Sequence, residues 1–413
     1  MINFPAMRIV YLLTQSLESP SGLGRFWPMA KEMARLGHKV HIYALHPNFE
    51  ALTQTQFAQN GVSIEYVAPM HIRKQGSNKS YYSSFELLQI AFKASWQLSK
   101  SALRTPSDVI HICKPHPMNS LAGLAAHYLR SRLVFLDCDD YEAGVGNFSS
   151  GWQRQGVAYF EHKVPHMVRM VTTNTNFMRS KLIEWGVPEN RITYLPNGID
   201  PERFDTVDQE RVSTLRHELS LENSRVVAYI GTIGLASHAV DMLMDAFAIV
   251  HNTIPDSVLL LVGGGEDLES LRAYGESIGL ENAMRWIGKV SPELVPLYYQ
   301  LADVTVDPIR DDDAARGRSP LKLFESWASG VPFVSADVGD RRRLLGDPPA
   351  GLLANSADID SLAGEILTVL THADLASSLS LRGKQRIEDY YWDRLSKQLN
   401  DLYFTFCPEP RHS

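Results

Sequence analysis

Cysteine is scarce. Among 413 residues only Cys113, Cys138 and Cys407 carry a thiol, too few and too scattered for a disulfide framework or a zinc knuckle. That scarcity fits a reducing compartment. Long apolar runs are missing too. The opening segment Ile9–Leu13 is too short for a signal-peptide core. The longest charge-free stretch near a spanning length, Val226–Val240, is broken by Gly231, Gly234, Ser237 and His238. No transmembrane helix is expected, and the chain reads as cytoplasmic. Positive charge is not in excess: 40 Lys+Arg against 47 Asp+Glu leave a formal net charge of −7. That removes the basic footprint from which a nucleic-acid reading starts.

What the chain does have is an ordinary soluble composition, 44% hydrophobic and 21% charged. Its length suits two domains, each able to bury a core. Short, nearly continuous apolar runs recur at Arg8–Leu13, Val40–Leu45, Val62–Val67, Val109–Cys113, Leu133–Asp137 and Met167–Thr172. Strands buried on both faces have this pattern. Helical periods lie between them, at Arg25–Leu36, Phe85–Leu103 and Leu121–Leu129. Strand alternating with helix predicts a parallel, doubly wound sheet.

The pattern then restarts, with strands expected at Val226–Ile230, Val258–Val262, Met284–Ile287, Val304–Val306 and Val331–Ser335. Helices are expected at Val240–Val250, Leu268–Ile278, Glu293–Leu301, Lys322–Ser329 and Ile359–Leu370. The polar segment Pro196–Asn223 joins the two series, and Asn197-Gly198 near its start is a strong turn signal. The expected division is therefore a first Rossmann-like domain over 1–200 and a second over 201–380. The tail, helical from about Leu375 to Phe406 with a break near Tyr390–Trp392, is expected to return to the first domain over 381–413.

Ligands bind such sheets at the carboxyl ends of the strands. If the two rims face each other, the active site is a cleft between domains. Ser21-Gly22-Leu23-Gly24 follows the first strand and opens a helix, as a phosphate loop or a tight turn would. Gly231-Thr232-Ile233-Gly234 and Gly263-Gly264-Gly265-Glu266 end adjacent strands, where glycine permits close approach of backbone to a ligand or makes a simple turn. Arg316-Gly317-Arg318-Ser319-Pro320-Leu321-Lys322-Leu323-Phe324-Glu325 is more specific. Ser319 reads as a helix cap and Pro320 as the first helical residue. Lys322 then stands in the first turn, against the helix dipole, which suggests an anion nearby. Glu325 shares its face and can accept sugar hydroxyls. The plainer alternative is an exposed Lys322–Glu325 ion pair.

Several of these segments resemble the family-four glycosyltransferases of the GT-B fold. They are Tyr194-Leu195-Pro196-Asn197-Gly198-Ile199-Asp200, Val262-Gly263-Gly264-Gly265, Trp286-Ile287-Gly288-Lys289-Val290, and Ser319 to Glu325 with Gly330-Val331-Pro332-Phe333-Val334 after it. The Gly22–Gly24 loop, Asp108-Val109-Ile110-His111 and the last helix are similar as well. The resemblance implies two doubly wound domains facing across a cleft, with a nucleotide-diphosphate sugar held mainly by the second. It also implies retention at the anomeric carbon, no metal and no cofactor beyond the donor. The implied donor-binding residues are Gly22, Gly24, Gly231, Thr232, Gly263, Gly264, Lys289, Arg318, Ser319, Leu321, Lys322 and Glu325. Glu325 takes the place of the ribose-binding glutamate. The family's other glutamate falls on Gly317, its usual arginine on Thr232 and its lysine near His238. The diphosphate charge is then left to Lys322, with Arg316, Arg318 or the Gly22–Gly24 loop helping.

On the acceptor side the candidates are His111, His116 and the cluster Asp137-Cys138-Asp139-Asp140-Tyr141-Glu142. The resemblance implies a sugar-contacting histidine after the fourth strand, where direct register falls on Cys113 and His116 follows three residues later as the candidate. His111 itself reads as a half-buried strand residue. Asp139 or Asp140 could orient an acceptor hydroxyl. The expected catalytic set is thus His116, Asp139 and Lys322. Asp137 and Asp139 as a metal pair is the alternative, and Asp311-Asp312-Asp313 reads as a solvated loop. Residues 71–104 carry six cations against the single acid Glu86, with Tyr81, Tyr82, Phe85, Phe92 and Trp96 among them. Such a segment can dock on anionic lipid or be a core-facing helix with a basic outer face. The expected partners are a nucleotide sugar and a glycan, lipid-linked or small-molecule acceptor, with no nucleic acid. Other uses of the fold, a sugar-nucleotide epimerase, a phosphorylase or a non-catalytic binding subunit, differ in their products.

Overall fold

The computed structural model describes residues 5–75, 78–145, 148, 150–205, 207–235 and 238–407. The chain divides into two units. Unit 1 comprises Met1–Gly198, Gly317–Ser319 and Trp392–Ser413, and unit 2 comprises Ile199–Arg316 and Pro320–Tyr391.

The strands of unit 1 are β1 (Arg8–Leu13), β2 (Lys39–His46), β3 (Gln56–Gln59), β4 (Val62–Pro69), β5 (Ile72–Gln75), β6 (Asn78–Tyr81), β7 (Val109–Cys113), β8 (Leu133–Cys138), β9 (Met170–Thr173) and β10 (Ile192–Tyr194). Eight of them form one sheet in the order β10-β9-β8-β7-β1-β2-β4-β3, while β5 and β6 pair as a hairpin. Every pairing in the large sheet is parallel except β3 with β4. Side chains alternate between two cores, as the twofold period of a strand requires. Ile9, Tyr11 and Leu13 enter one core, and Val10 and Leu12 the other. Both faces are covered, which is why the strands read as unbroken apolar runs.

Helix Trp392–Phe406 supplies much of one cover. Its Trp392, Leu395, Leu399, Tyr403 and Phe404 join Met29, Ala30 and Met33 of helix Trp27–Arg35 against the sheet. The spacing of those residues is one helical stripe. The tail is therefore two helices, Ala373–Ile387 in unit 2 and Trp392–Phe406 in unit 1, with the break where the sequence places it.

Unit 2 contains β11 (Arg225–Ile230), β12 (Ser257–Val262), β13 (Met284–Gly288), β14 (Val304–Asp307), β15 (Phe333–Ala336) and β16 (Leu352–Ala354), in the order β13-β12-β11-β14-β15-β16 and all parallel. Val227 and Tyr229 enter one core, Val226, Ala228 and Ile230 the other.

Two local expectations change. The strand expected from Met167 begins at Met170, because helix Gly151–Met167 uses the first of those residues. The strand expected from Val331 begins at Phe333, since Pro332 has no N–H for the ladder and only accepts, from Thr305. Within the polar segment 196–223, Asp208 accepts from the Glu210 and Arg211 amides and starts helix Gln209–Glu218.

Candidate functional site

In each sheet the strand order reverses at one point, and crevices form outside the carboxyl ends of the strands there. In unit 1 the reversal lies between β1 and β7, in unit 2 between β11 and β14. Polar side chains gather at both.

In unit 1, Thr14 follows β1, and Lys114 and His116 follow β7. Thr14 Oγ1 lies 2.7 Å from His116 Nδ1, and His116 Nε2 lies 2.9 Å from Glu142 Oε2. Burial by itself would raise the Glu142 carboxyl, but Lys114 and His116 hold it below its usual range. An ionised Glu142 can only accept, so Nε2 carries the proton, and in the neutral ring Nδ1 accepts the Thr14 hydroxyl. Both nitrogens are thus committed. To meet a ligand through either, the ring must give up Thr14 or Glu142.

Lys114 is a residue the sequence reading passed over. It adopts φ +76, rare for a side chain with Cβ, and is almost fully buried. Its Nζ lies 3.1 Å from Asp139 Oδ1, 2.7 Å from Asp140 Oδ2 and 2.6 Å from Glu142 Oε1. These three residues have the spacing of a metal-binding group, their ligand oxygens within 4.8 Å of one another. An ammonium stands among them. Burial pushes the Asp139 carboxyl up despite Lys114. Asp139 faces inward, and Asp140 is the more exposed of the two, at 19% against 4% of the side chain.

Asp137 belongs to a different network. Arg25 grips it with Nε at 2.9 Å and Nη2 at 2.7 Å, and Thr172 Oγ1 donates to it at 2.6 Å. Arg25 and His111 hold its carboxyl down against the effect of burial. The same guanidinium donates to Asn197 Oδ1 and the Pro196 carbonyl. Asp137 therefore anchors the segment before Gly198 and does not pair with Asp139. His111 is fully buried, not half-buried, with Nδ1 2.6 Å from the Tyr403 hydroxyl of the returning helix.

Glu161 closes the cluster from helix Gly151–Met167, accepting from the Glu142 amide at 2.7 Å and the Ala143 amide at 3.1 Å. Burial, with Glu142 adding to it, raises this carboxyl from 4.5 to about 7. The folded state then binds more protons than the unfolded one between those pH values, so stability falls as pH rises through that window. Relative to Glu161→Gln, the wild type is expected to lose about 3 kcal/mol between pH 4.5 and pH 8. Thermal melts across that range check this. Parallel curves for the two proteins would contradict it.

In unit 2, Asp307 ends β14 and holds two cations, Lys322 Nζ at 3.0 Å and Arg341 Nη2 at 2.7 Å. Burial alone would raise this carboxyl, and the two cations keep it below its usual range. Arg341 is fully buried and also donates to Ser335 Oγ and the Val338 carbonyl. Lys322, only 18% exposed, lies over the Tyr229 ring and against Gly231. A Cβ on Gly231 would meet Lys322 Cε at 2.6 Å, and one on Gly263 would meet the Gly231 carbonyl at 1.8 Å. These glycines are required by contacts inside the protein. The two loops pack on each other and on the lysine.

Glu325, one turn beyond Lys322, accepts from the Tyr299 hydroxyl at 3.1 Å, with Arg203 Nη2 3.8 Å from its other oxygen. Burial raises its carboxyl. At 21% side-chain exposure, it is not half of a freely exposed pair.

The remaining sequence candidates separate. Gly22 packs against the Ser16 carbonyl, and its amide donates to Ser19 Oγ, so the Gly22–Gly24 turn satisfies itself in part. Thr232 is exposed, and its carbonyl accepts from Tyr229. Gly264 accepts from the Ile233 amide, and Lys289 is exposed just past β13. Arg316 pairs with Asp311, while Asp312 accepts from the Ala315 amide, so the acidic run orders a short helix. Ser319 is not the cap. Pro320, extended at ψ 93, holds that position, Leu321 begins the helix, and the buried Ser319 hydroxyl has no hydrogen-bond partner among the described residues. Arg318 and Ser319 fall in the segment grouped with unit 1. Thr14, Lys114, Glu161, Asp307 and Arg341 carried no sequence signal beyond their type, because their partners are distant in the chain.

Two family models match this chain: Glycosyltransferase Family 4 over residues 26–203 and Glycosyl transferases group 1 over 224–372. A GDP-mannose-dependent alpha-(1-6)-phosphatidylinositol monomannoside mannosyltransferase of Mycobacterium tuberculosis is 26% identical over 236 residues, 56% of this chain and 61% of its own. A mannosylfructose-phosphate synthase of Agrobacterium fabrum is 26% identical over 56% of this chain and 51% of its own. The match thus spans about three-fifths or less of these curated relatives. Among solved structures, sucrose-phosphate synthase from Thermosynechococcus elongatus superposes with a TM-score of 0.74 at 17% identity, over 97% of this chain and 99% of its own. Anabaena HepE in complex with UDP and glucose gives 0.74 at 17% identity, over 97% and 100%.

Proposed function

Because this chain belongs to the family-four glycosyltransferases and has their GT-B fold, we propose that it moves a hexose-type sugar from a nucleotide-diphosphate donor to a hydroxyl acceptor. In this proposal unit 2 holds the donor, the anomeric configuration is retained, and no metal or cofactor is needed. The observation that carries it is Lys322, aimed by Asp307 across the Gly231 loop at the reversal point of the sheet, with Glu325 one turn away. Lys322 and Arg341 against Asp307 leave one net positive charge at a strand-end rim, where a diphosphate would sit. That charge comes from a helix. The loop position filled by arginine in the family is Thr232 here, and Lys322 stands against the same loop. Glu325 is the proposed acceptor for ribose hydroxyls.

Unit 1 is the proposed acceptor side, with His116 turned by Glu142 and Thr14, and Asp140 the reachable carboxylate beside it. A metal between the acids is unnecessary in this reading because Lys114 already places a cation there. The names of the relatives support GDP-mannose as the first donor to try and a lipid-linked or sugar-phosphate hydroxyl as acceptor. The proposal includes peripheral membrane contact through residues 71–104; among the described residues no helix is long and apolar enough to cross a membrane.

The test is a thermal-shift series with nucleotide diphosphates and their sugars in EDTA, followed by product analysis. A donor at about a hundred times its Kd is expected to add about 2.7 kcal/mol of stability. Transfer with the donor's anomeric configuration kept, and undiminished by chelation, supports the reading. Loss of turnover in EDTA with recovery in Mn²⁺ would return Asp139, Asp140 and Glu142 to the centre. Binding without turnover over a broad acceptor panel would favour a non-catalytic subunit, the outcome that Gly317 motivates.

A further inference from the structure

Helix Ser84–Arg104 has two apolar stripes. Ala94, Leu98 and Ala102 are buried in the unit 1 core. Phe92 and Trp96 each stand two residues before a buried one, about 200° round the helix, and so point away from that core. They are 74% and 64% exposed, and Phe85 and Leu88, in register at steps of three and four, are 70% and 53% exposed. Continuing the same stripe by fours gives Lys100 and Arg104, both exposed. The stripe therefore runs from four large apolar side chains into two cations, with the exposed Lys93 beside it.

A helix that only covered its own sheet would carry polar groups there. The helix's one acid, Glu86, is used in its start: its carboxylate accepts from the Ser83 amide at 2.9 Å while Ser83 Oγ caps the first turn. No other acid lies between residues 84 and 104. The neighbouring helices Pro117–Arg130 and Gly151–Met167 bury their inner sides in the same core. Together the three helices carry ten of the fourteen large hydrophobic side chains that are exposed among the described residues. Scattered exposed apolar residues are normal, but a concentration on one face of one unit marks an interaction surface.

We propose that the outer stripe of helix Ser84–Arg104 docks on a bilayer containing anionic lipid, with Phe85, Leu88, Phe92 and Trp96 in the acyl boundary and Lys93, Lys100 and Arg104 on the headgroups. This rests on, and narrows, the peripheral contact proposed for residues 71–104. The cations complement anionic headgroups, and aromatic side chains suit the interfacial layer. Helix Pro117–Arg130, packed beside it, begins at His116 and exposes Leu121 at 46%, about 7.5 Å of helical rise further on. Docking by this face therefore brings the proposed acceptor side close to the lipid surface and assigns the acceptor to the lipid-anchored class.

The test is flotation of the full chain, without any substrate, on vesicles of phosphatidylcholine alone or with one-third phosphatidylglycerol. Wild type is expected to float with the anionic vesicles and release as salt rises. Phe92→Ser with Trp96→Ser should cut the floating fraction by about tenfold with melting unchanged, since both side chains are outside the core. Lys93→Gln, Lys100→Gln and Arg104→Gln together should remove the preference for anionic lipid. Wild-type flotation by the aromatic variant, or absence of vesicle binding by the wild type, would overturn the proposal. So would a concentration-dependent dimer that the aromatic variant abolishes, since the stripe would then be a contact between copies. Because no donor is present, these outcomes are independent of whether unit 2 binds a nucleotide.

Discussion

Lys322→Ala is expected to lower kcat by about 10²–10³, roughly 3–4 kcal/mol of transition-state stabilisation, with a much smaller change in donor affinity. Negative charge grows on the departing diphosphate as the sugar bond breaks, so a cation aimed at it acts mainly in the transition state. The aim comes from Asp307, which holds Lys322 from behind and is itself held by the buried Arg341. Glu325→Gln should act differently, because ribose hydroxyls do not change during transfer. Its expected effect is on donor affinity, by about 1–3 kcal/mol. Steady-state kinetics and donor titrations separate the two. Unchanged kinetics in both variants would refute the site. Lys322→Ala has a second readout that needs no substrate. Asp307 is a carboxylate whose folded pKa is depressed, so its contribution to stability is present above its unfolded pKa and lost as pH falls through the folded one. Removing one of its two cations raises the folded pKa. Acid unfolding should begin at higher pH.

The fold could be read in the sequence because its main signal is local. Runs such as Ile9–Leu13 and Val258–Val262 are apolar on consecutive positions only because both faces of each sheet are covered. The stripe Leu395, Leu399, Tyr403 by which the last helix packs in the unit 1 core is likewise local in the sequence. The candidate site was legible only where its residues are close in sequence, as Lys322 and Glu325 are. It was not legible where the partner is far along the chain: Asp307 lies 15 residues from Lys322 and 34 from Arg341, and Thr14 lies 102 from His116. The glycine loops read as places where backbone approaches a ligand closely or as simple turns, and the structure adds a contact the sequence did not suggest, Gly263 against Gly231. Ser319 looked like a cap because Ser-Pro is a common helix start. Pro320 adopts an extended ψ instead, so the helix starts one residue later.

Lys114→Met is expected to be the most destabilising single change in unit 1, costing about 3–5 kcal/mol. Methionine keeps an unbranched side chain of similar length and the same backbone penalty at φ +76, so the comparison isolates the charge. What is lost is the ammonium within 3.1 Å of Asp139, Asp140 and Glu142 together. Three carboxylates whose oxygens lie within 4.8 Å of one another then repel, two of them buried. Their pKa values must rise, and a raised carboxyl pKa means that stability increases as pH falls. The variant should therefore recover toward wild type on mild acidification. The decisive comparison is Asp139→Asn made in both backgrounds. With Lys114 present it removes a partner of a buried cation and should destabilise. In the Lys114→Met background Asp139, raised by burial even with Lys114 present, is driven further to its neutral form, so the same change should cost little. That loss of effect in a double-mutant cycle is the signature of a tethered cation holding an acidic cluster together. If Asp139→Asn shifts unfolding by the same amount in both backgrounds, Lys114 is not what organises the acids that orient His116.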